Sequence, residues 1–283
     1  MRTFICGDIH GCLEELQELL RLSEYKQGAD RFISVGDLVD KGPDSAGVVR
    51  LAREKGFEVV MGNHEEKHIR WRLRVHEETT RGKKNQMHPL GEEKMLIQAQ
   101  IPEEDWQWLG TLPYYIKAKD HARHPWMVVH AGFDLKKIHQ STFRLPGDME
   151  NISDRKAMLR VRHVDERGHF AAMTSDFKQE PGTVRWPTVW PGPECVLYGH
   201  AVYSLDKPTG SATPEVERYE KLGVYAITVD NPAHNVTTIG IDTGCCYGGY
   251  LTAAVLHSDK DEVDFIQVKA KQRYKKREGG EDE

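Results

Sequence analysis

The sequence predicts an α/β fold whose polar functional groups gather at one edge of its sheet. Three observations carry this. Over the first 65 residues, short apolar runs alternate with amphipathic stretches in the order β-α-β-α-β. Each of the three runs stops at a glycine followed by Asp or Asn: Gly7-Asp8, Gly36-Asp37 and Gly62-Asn63. Parallel neighbours joined by right-handed crossovers place their carboxyl ends on one side, where open α/β sheets hold ligands.

The elements follow in order. Phe4-Ile5-Cys6 reads as the first strand, and residues 12–22 as a helix with Leu13, Leu16, Leu19 and Leu20 on one face. Phe32–Val35 is the second strand; Asp44 then opens a helix that Gly56 closes. Phe57–Met61 is the third strand. Charged helices are expected as an insertion over about 65–123, including Pro102–Leu109. Trp126–Val129 is a strand leading to His130-Ala131-Gly132, and Cys195–Tyr198 one leading to Gly199-His200. Between them, residues 134–192 read as a loop-rich insertion walling the pocket. Runs at 224–229, 236–241, 250–257 and 263–268 lack helices between them, which suggests antiparallel pairing. The domain thus spans 1–270, and the charged residues 271–283 are expected to be a disordered tail.

Composition narrows the function classes. With 283 residues, 39% of them hydrophobic and 29% charged, the chain has enough apolar surface for a core without staples. A net charge of −5 argues against a broad basic face, so no stable nucleic-acid complex is expected. Five cysteines, odd in number and without zinc-finger spacing, fit a reducing compartment. No run is long enough to span a membrane, and Met1–Gly7 reads directly into a strand, so a cytoplasmic protein is expected.

Five strand-end motifs carry the chemistry: Gly7-Asp8-Ile9-His10-Gly11, Gly36-Asp37-Leu38-Val39-Asp40-Lys41-Gly42, Gly62-Asn63-His64-Glu65, His130-Ala131-Gly132 and Tyr198-Gly199-His200. Singly each is a common turn; in one order, each after an apolar run, they point to a metal centre. Carboxylate oxygens and imidazole nitrogens hold hard and borderline divalent ions. Asp8 and His10 reach one ion, Asp37 bridges two, and Asn63, His130 and His200 complete the second. Two such ions activate water as hydroxide and clamp an in-line displacement at phosphorus. His64 is the expected general acid for the leaving group, with Asp40 on its other ring nitrogen favouring the charged form. Lys41 and Arg162 are the candidate cations for phosphate oxygens, as Asn63 is for substrate contact. The glycines before the ligands allow close backbone approach.

These motifs resemble the calcineurin-like metallophosphoesterases, specifically the phosphoprotein phosphatase branch, whose pattern GDxHG, GDxVDRG, GNHE, HAG and GH is met across residues 7–200. Ile241-Asp242-Thr243-Gly244-Cys245-Cys246-Tyr247-Gly248-Gly249, followed by Leu251-Thr252, is similar to the diadenosine tetraphosphatases and related phosphatases. So is Trp190-Pro191-Gly192-Pro193 before its strand. The resemblance implies a four-layer fold, a central β-sandwich flanked by helices, with two metal ions at the strand ends. Manganese is the expected ion, with iron, zinc, cobalt, nickel or magnesium as alternatives. It implies a phosphohydrolase acting on a dinucleoside polyphosphate or phosphomonoester, with a protein serine/threonine or tyrosine phosphatase as the alternative, while the cationic run Arg70–Arg74 suggests an RNA 5′-end phosphohydrolase as a third. Lys41 stands where the branch usually has Arg, giving a point charge in place of a planar fork. Arg162 stands near the branch's second phosphate arginine, with Arg160 competing for that place.

Other features have simpler expectations. The ten remaining histidines, including His68, His76, His88, His121, His124 and His234, are assigned to surface or loops. Trp106, Trp108, Trp186 and Trp190 are assigned to packing more than to base stacking, Cys245-Cys246 to a buried thiol pair, and Arg70–Arg74 to a solvated helix face. Glu65 is expected to support the ligands without being one.

Overall fold

The computed structural model describes residues 1–118, 126–135, 152–171, 181–190, 194–202, 224–231, 234–260 and 262–276. Strands β1 (Arg2–Cys6), β2 (Arg31–Ser34) and β3 (Glu58–Val59) are parallel neighbours, linked by α1 (Leu13–Leu22) and α2 (Ser45–Glu54). Two later strands, β12 (Tyr250–His257) and β13 (Asp264–Lys269), extend this sheet in the order β13-β12-β1-β2-β3, with β12 antiparallel to β1. The second sheet orders as β10-β11-β9-β5-β4, from β4 (Tyr115–Ala118), β5 (Trp126–Val129), β9 (Cys195–Tyr198), β10 (Tyr225–Asn231) and β11 (His234–Gly240). Strands β5, β9 and β11 run parallel.

Alternation along the strands builds the layers. In β1, Ile5 faces the other sheet while Phe4 and Cys6 pack under the helices. In β5, Trp126 and Val128 point between the sheets, and Met127 and Val129 point to the opposite face. A strand buried on both sides must be apolar at successive positions, which is why these runs are continuous and not alternating. Helices α1 and α2, with α4 (Glu92–Gln100) and α5 (Glu103–Leu109), contribute to the core on the first sheet's outer face. Helix α6 (Ile152–Arg160) and a small sheet of β6 (His163–Asp165), β7 (Phe170–Ala171) and β8 (Thr183–Arg185) cover the second sheet. Trp186 and Trp190 are fully buried there, and Trp106 is 3% exposed on the other side, so these three rings pack.

Several boundaries differ from the sequence reading. The third strand is short because, after Val60, Met61 N–H turns to Pro113 O (2.7 Å) and leaves the ladder. The insertion is continuous with the preceding motif: α3 runs Asn63–Arg81, beginning on the candidate ligand Asn63 itself. Its far end is β4, an edge strand of the second sheet. The stretch read as loops contains α6 and β6–β8, whose strands of two or three residues are too short to show a period. The four C-terminal strands form two antiparallel hairpins that belong to different sheets. The tail is docked as far as Lys275, with Tyr274 N–H and Lys275 N–H donating to Cys246 O at 3.0 Å. His121, His124, residues 191–193 and residues 277–283 lie outside the described residues.

Helix α2 starts where Asp44 caps it, its Oδ1 accepting Gly47 N–H at 2.7 Å. Asp44→Ala is expected to lower stability by about 1 kcal/mol, read as a fall in melting temperature, while leaving metal content unchanged.

Candidate active site

Strands β1, β2, β3, β5 and β9 end on the same side, and their following loops are tied together by backbone. Ile9 and His10 N–H both donate to Asp37 O (3.2 and 2.7 Å), and Gly199 N–H donates to His130 O (2.8 Å). Asp8, His10, Asp37, Asn63, His64, His130 and His200, separated by up to 192 residues, thereby meet.

Close approach requires the glycines. A Cβ on Gly199 would lie 2.0 Å from Asp8 Oδ1, and one on Gly62 would lie 2.3 Å from Asp37 N. Six described non-glycine residues have positive φ, and five of them are His10 (46°), Asp37 (50°), Asp40 (71°), Lys41 (67°) and His200 (68°). Such conformations cost of order 1–3 kcal/mol each and persist where the surroundings over-determine them. Here the surroundings include Glu65, whose carboxylate accepts N–H bonds from Asp37 (2.9 Å), Val39 (3.1 Å) and Gly62 (3.1 Å). It supports the loops, and burial with Asp37 nearby pushes its pKa up to about 8.

The donors and acceptors show what the cluster is built to hold. His10 donates Nδ1–H to Val39 O and His130 donates Nδ1–H to Val35 O, each at 2.9 Å. Burial holds both imidazoles below their usual range and hence neutral, leaving each Nε2 as a lone pair. His10 Nε2 faces Asp37 Oδ2 at 3.5 Å and Asp8 Oδ2 at 3.9 Å. His130 Nε2 faces Asp37 Oδ1 at 3.6 Å and Asn63 Oδ1 at 2.9 Å. Acceptors pointing at acceptors in a buried pocket repel unless a cation lies between them. His200 joins Asp37 and His130 in a second such group, while His10, Asp37 and His64 form the first. The residues therefore fit divalent ions.

Charge agrees with this. Burial, then Asp242 and Asp37, push the Asp8 carboxyl well up. Burial also opposes the Asp37 charge, but His130, His64, His10 and Lys41 hold that carboxyl well below the usual range. Lys41 Nζ takes the His10 Nε2 lone pair at 2.7 Å and lies 5.1 Å from the Tyr247 ring centroid. Arg162 Nη2 donates to His200 O at 3.4 Å, whereas Arg160 is held by Glu66 at 3.0 Å. Of the two, Arg162 is the one that reaches the His200 backbone.

His64 behaves differently from expectation in one respect. Its Nδ1–H donates to Asp40 Oδ2 at 2.5 Å, as the motif suggested. Yet burial pulls its pKa down to about 4, so Asp40 does not by itself enrich the charged form. Asp40 is also shared: His68 Nε2 lies 2.8 Å from Oδ1, and Lys94 of α4 pairs with Oδ2. The ring orientations follow by elimination. Arg72 can only donate, and its Nη1 lies 3.0 Å from Gln98 Oε1. Gln98 Nε2 therefore donates to His68 Nδ1 (2.7 Å), which fixes His68 with its proton on Nε2, donating to Asp40.

His68, Gln98, Lys94 and Asp242 were not among the site residues expected from the sequence. His68 was assigned to the surface but is 0% exposed, with Trp106 5.2 Å away. His163, another of the ten, is also buried, while His76 and His88 are exposed. His68 had one available signal, since it follows His64 by four positions on a helix. Asp242 had another, lying just after an apolar run and two residues before a glycine, much as Asp8 and Asp37 lie beside theirs.

Two packed mixed sheets with such a cluster at their strand ends define a metallophosphoesterase fold. The profile of the calcineurin-like phosphoesterases matches residues 1–204, and the chain belongs to that family. It is similar to a symmetrical bis(5′-nucleosyl)-tetraphosphatase of Escherichia coli O17:K52:H18, 28% identical over 89% of this chain and 91% of that one. A protein of the same name from Psychromonas ingrahamii is 30% identical over 54% of this chain and 51% of its own. Among solved structures, one assigned as a diadenosine tetraphosphatase has a TM-score of 0.62 at 30% identity, covering 94% of this chain and 93% of its own. A metallophosphoesterase from Sphaerobacter thermophilus shares the fold at a TM-score of 0.52 and 16% identity, over 96% of this chain and 90% of that one. The chain is a metal-dependent hydrolase. No described helix is long and apolar enough to cross a membrane.

Proposed function

We propose that the protein hydrolyses dinucleoside polyphosphates of the diadenosine tetraphosphate type, using two divalent ions with manganese as the first choice. The observation that carries the reading is the convergence of acceptor atoms on Asp37 beside the Asp40–His64 pair. Asp8, His10 and Asp37 would hold one ion, and Asp37, Asn63, His130 and His200 the other. When bound, such ions polarise phosphoryl oxygens and acidify water. The chain's own residues do the rest. Lys41 and Arg162 offset charge on the phosphate, and Asn63 and His64 flank it at the start of α3. His64 keeps Nδ1–H on Asp40 and presents Nε2 to the leaving oxygen. An anionic phosphate beside that ring favours the imidazolium that burial alone disfavours, so substrate binding arms the acid.

The substrate class is supported by the relatives at 28–30% identity over most of the chain. An RNA substrate is supported less. The Arg70–Arg74 run that suggested it is occupied by ion pairs, Arg70 with Glu66, Arg72 with Glu103 and Arg74 with Glu77. The test is a manganese-loaded assay on diadenosine tetraphosphate, an aryl phosphate, a phosphopeptide and triphosphorylated RNA, with product identification. Two ADP per tetraphosphate, at the highest kcat/KM of the panel, is expected. A higher kcat/KM on the phosphopeptide or the RNA would overturn the substrate assignment, and no turnover in metal-loaded protein would overturn the hydrolase reading.

A further inference from the structure

Apart from the Asp37 cluster, two thiols and a carboxylate meet at the start of α1. Cys12 directly precedes this helix, Glu15 is one turn into it, and Cys245 opens the short 3-10 turn before β12. All three are buried, with exposures of 0%, 1% and 1%. One ligand atom of each lies within 4.8 Å of the others.

Glu15 supplies the independent observation. Its Oε1 is fully engaged, accepting Lys271 N–H at 2.9 Å and Tyr274 O–H at 2.8 Å. Its Oε2, equally buried, has no hydrogen-bond partner. A carboxylate oxygen taken from water without a donor is costly, and a thiol is a weak donor. What such an oxygen lacks beside two sulfurs is a cation.

We propose that Cys12, Cys245 and Glu15 form a second, separate metal site for one thiophilic divalent ion of the zinc type. Thiolates select soft and borderline ions, whereas the catalytic cluster offers only oxygen and nitrogen, so the two sites differ in chemistry. Two thiolates and a carboxylate carry one negative charge more than a divalent ion offsets, the Lys271 N–H and Tyr274 O–H on Glu15 meeting the remainder, with both thiol protons released to solvent on binding. Ligating carboxylates are usually oriented by hydrogen bonds on their other oxygen, as Tyr274 and Lys271 orient Glu15.

The site would join three segments remote in sequence: the loop after His10, the turn before β12, and residues 271–274 through Glu15. That turn carries Tyr247, whose ring lies beside Lys41. The ion is thus a structural staple behind the phosphate-binding wall, with no part in the reaction.

Cobalt distinguishes the sites, because only thiolate ligands give a sulfur-to-cobalt charge-transfer band in the near ultraviolet. Chelator-stripped full-length protein saturated with cobalt is expected to develop this band with the amplitude of one dithiolate-bound ion per chain. Cys245→Ser, which leaves only the Cys12 thiolate, should at least halve the band while retaining manganese-dependent turnover. Glu15→Gln, which keeps the side-chain shape, should bind zinc at least about tenfold more weakly in a chelator competition. Absence of the band in saturated wild-type protein, or an undiminished band in Cys245→Ser, would overturn the proposal. Unchanged zinc affinity in Glu15→Gln would do so even if the cysteine variant failed to fold. None of these readouts depends on which phosphate ester is the substrate.

Discussion

Asp37→Asn is expected to empty the catalytic centre of divalent ions and to lower turnover by more than about 100-fold, without unfolding the protein. Among the described residues, Asp37 is the carboxylate shared by both candidate ligand groups, with Oδ2 toward His10 and Oδ1 toward His130. Loss of groups that merely orient ligands costs 10–100-fold in affinity or activity, so loss of a bridging ligand costs more. The fold should tolerate the change. Asparagine keeps an oxygen for His64 N–H, which Asp37 Oδ1 accepts at 3.0 Å. The metal-free protein also loses a charge from a pocket that already holds Asp8 and Asp242. Metal content by mass spectrometry, turnover and circular dichroism together check this. Full metal loading in the variant would refute the bridging role.

The convergence of the candidate ligands was legible because these polar residues sit where strands end. Asp8, Asp37, Asn63, His130 and His200 each follow an apolar run, and a parallel topology carries all five to one edge. The β1–β3 order was legible for the same reason, since short crossovers leave few alternatives. The support of Asp40 was not. Lys94 and Gln98 arrive on α4, and nothing local in residues 92–100 states which face of that helix meets His68. The pairing is decided by packing across α3, α4 and α5, including Trp106 against His68. Nor does residue type announce the left-handed backbone of His10, Asp40 or Lys41, since those positions carry no glycine. Long-range hydrogen bonds such as Ile9 N–H to Asp37 O impose it. The docked end of the tail escaped for a related reason: its composition reads as solvated, but Tyr274 has a buried carboxylate to meet.

His64→Asn should leave metal content near normal while reducing kcat by about 10²- to 10⁴-fold, the usual contribution of a general acid. The loss should grow as the leaving group worsens, being small for an activated aryl phosphate and large for an alkyl phosphate, because only a poor leaving oxygen needs the proton. A merely structural residue would not show that gradient. His68 extends the argument. It donates to the same carboxylate that orients His64, so His68→Asn is expected to cost about tenfold in kcat with KM unchanged, the worth of one charge-assisted hydrogen bond. If His68 acts only through Asp40 and His64, the two losses cannot add: in the His64→Asn background, changing His68 should cost nothing further. Additive losses would mean that His68 has a separate task, and the chain from Gln98 through His68 to Asp40 would then have to be abandoned as the device that orients the acid.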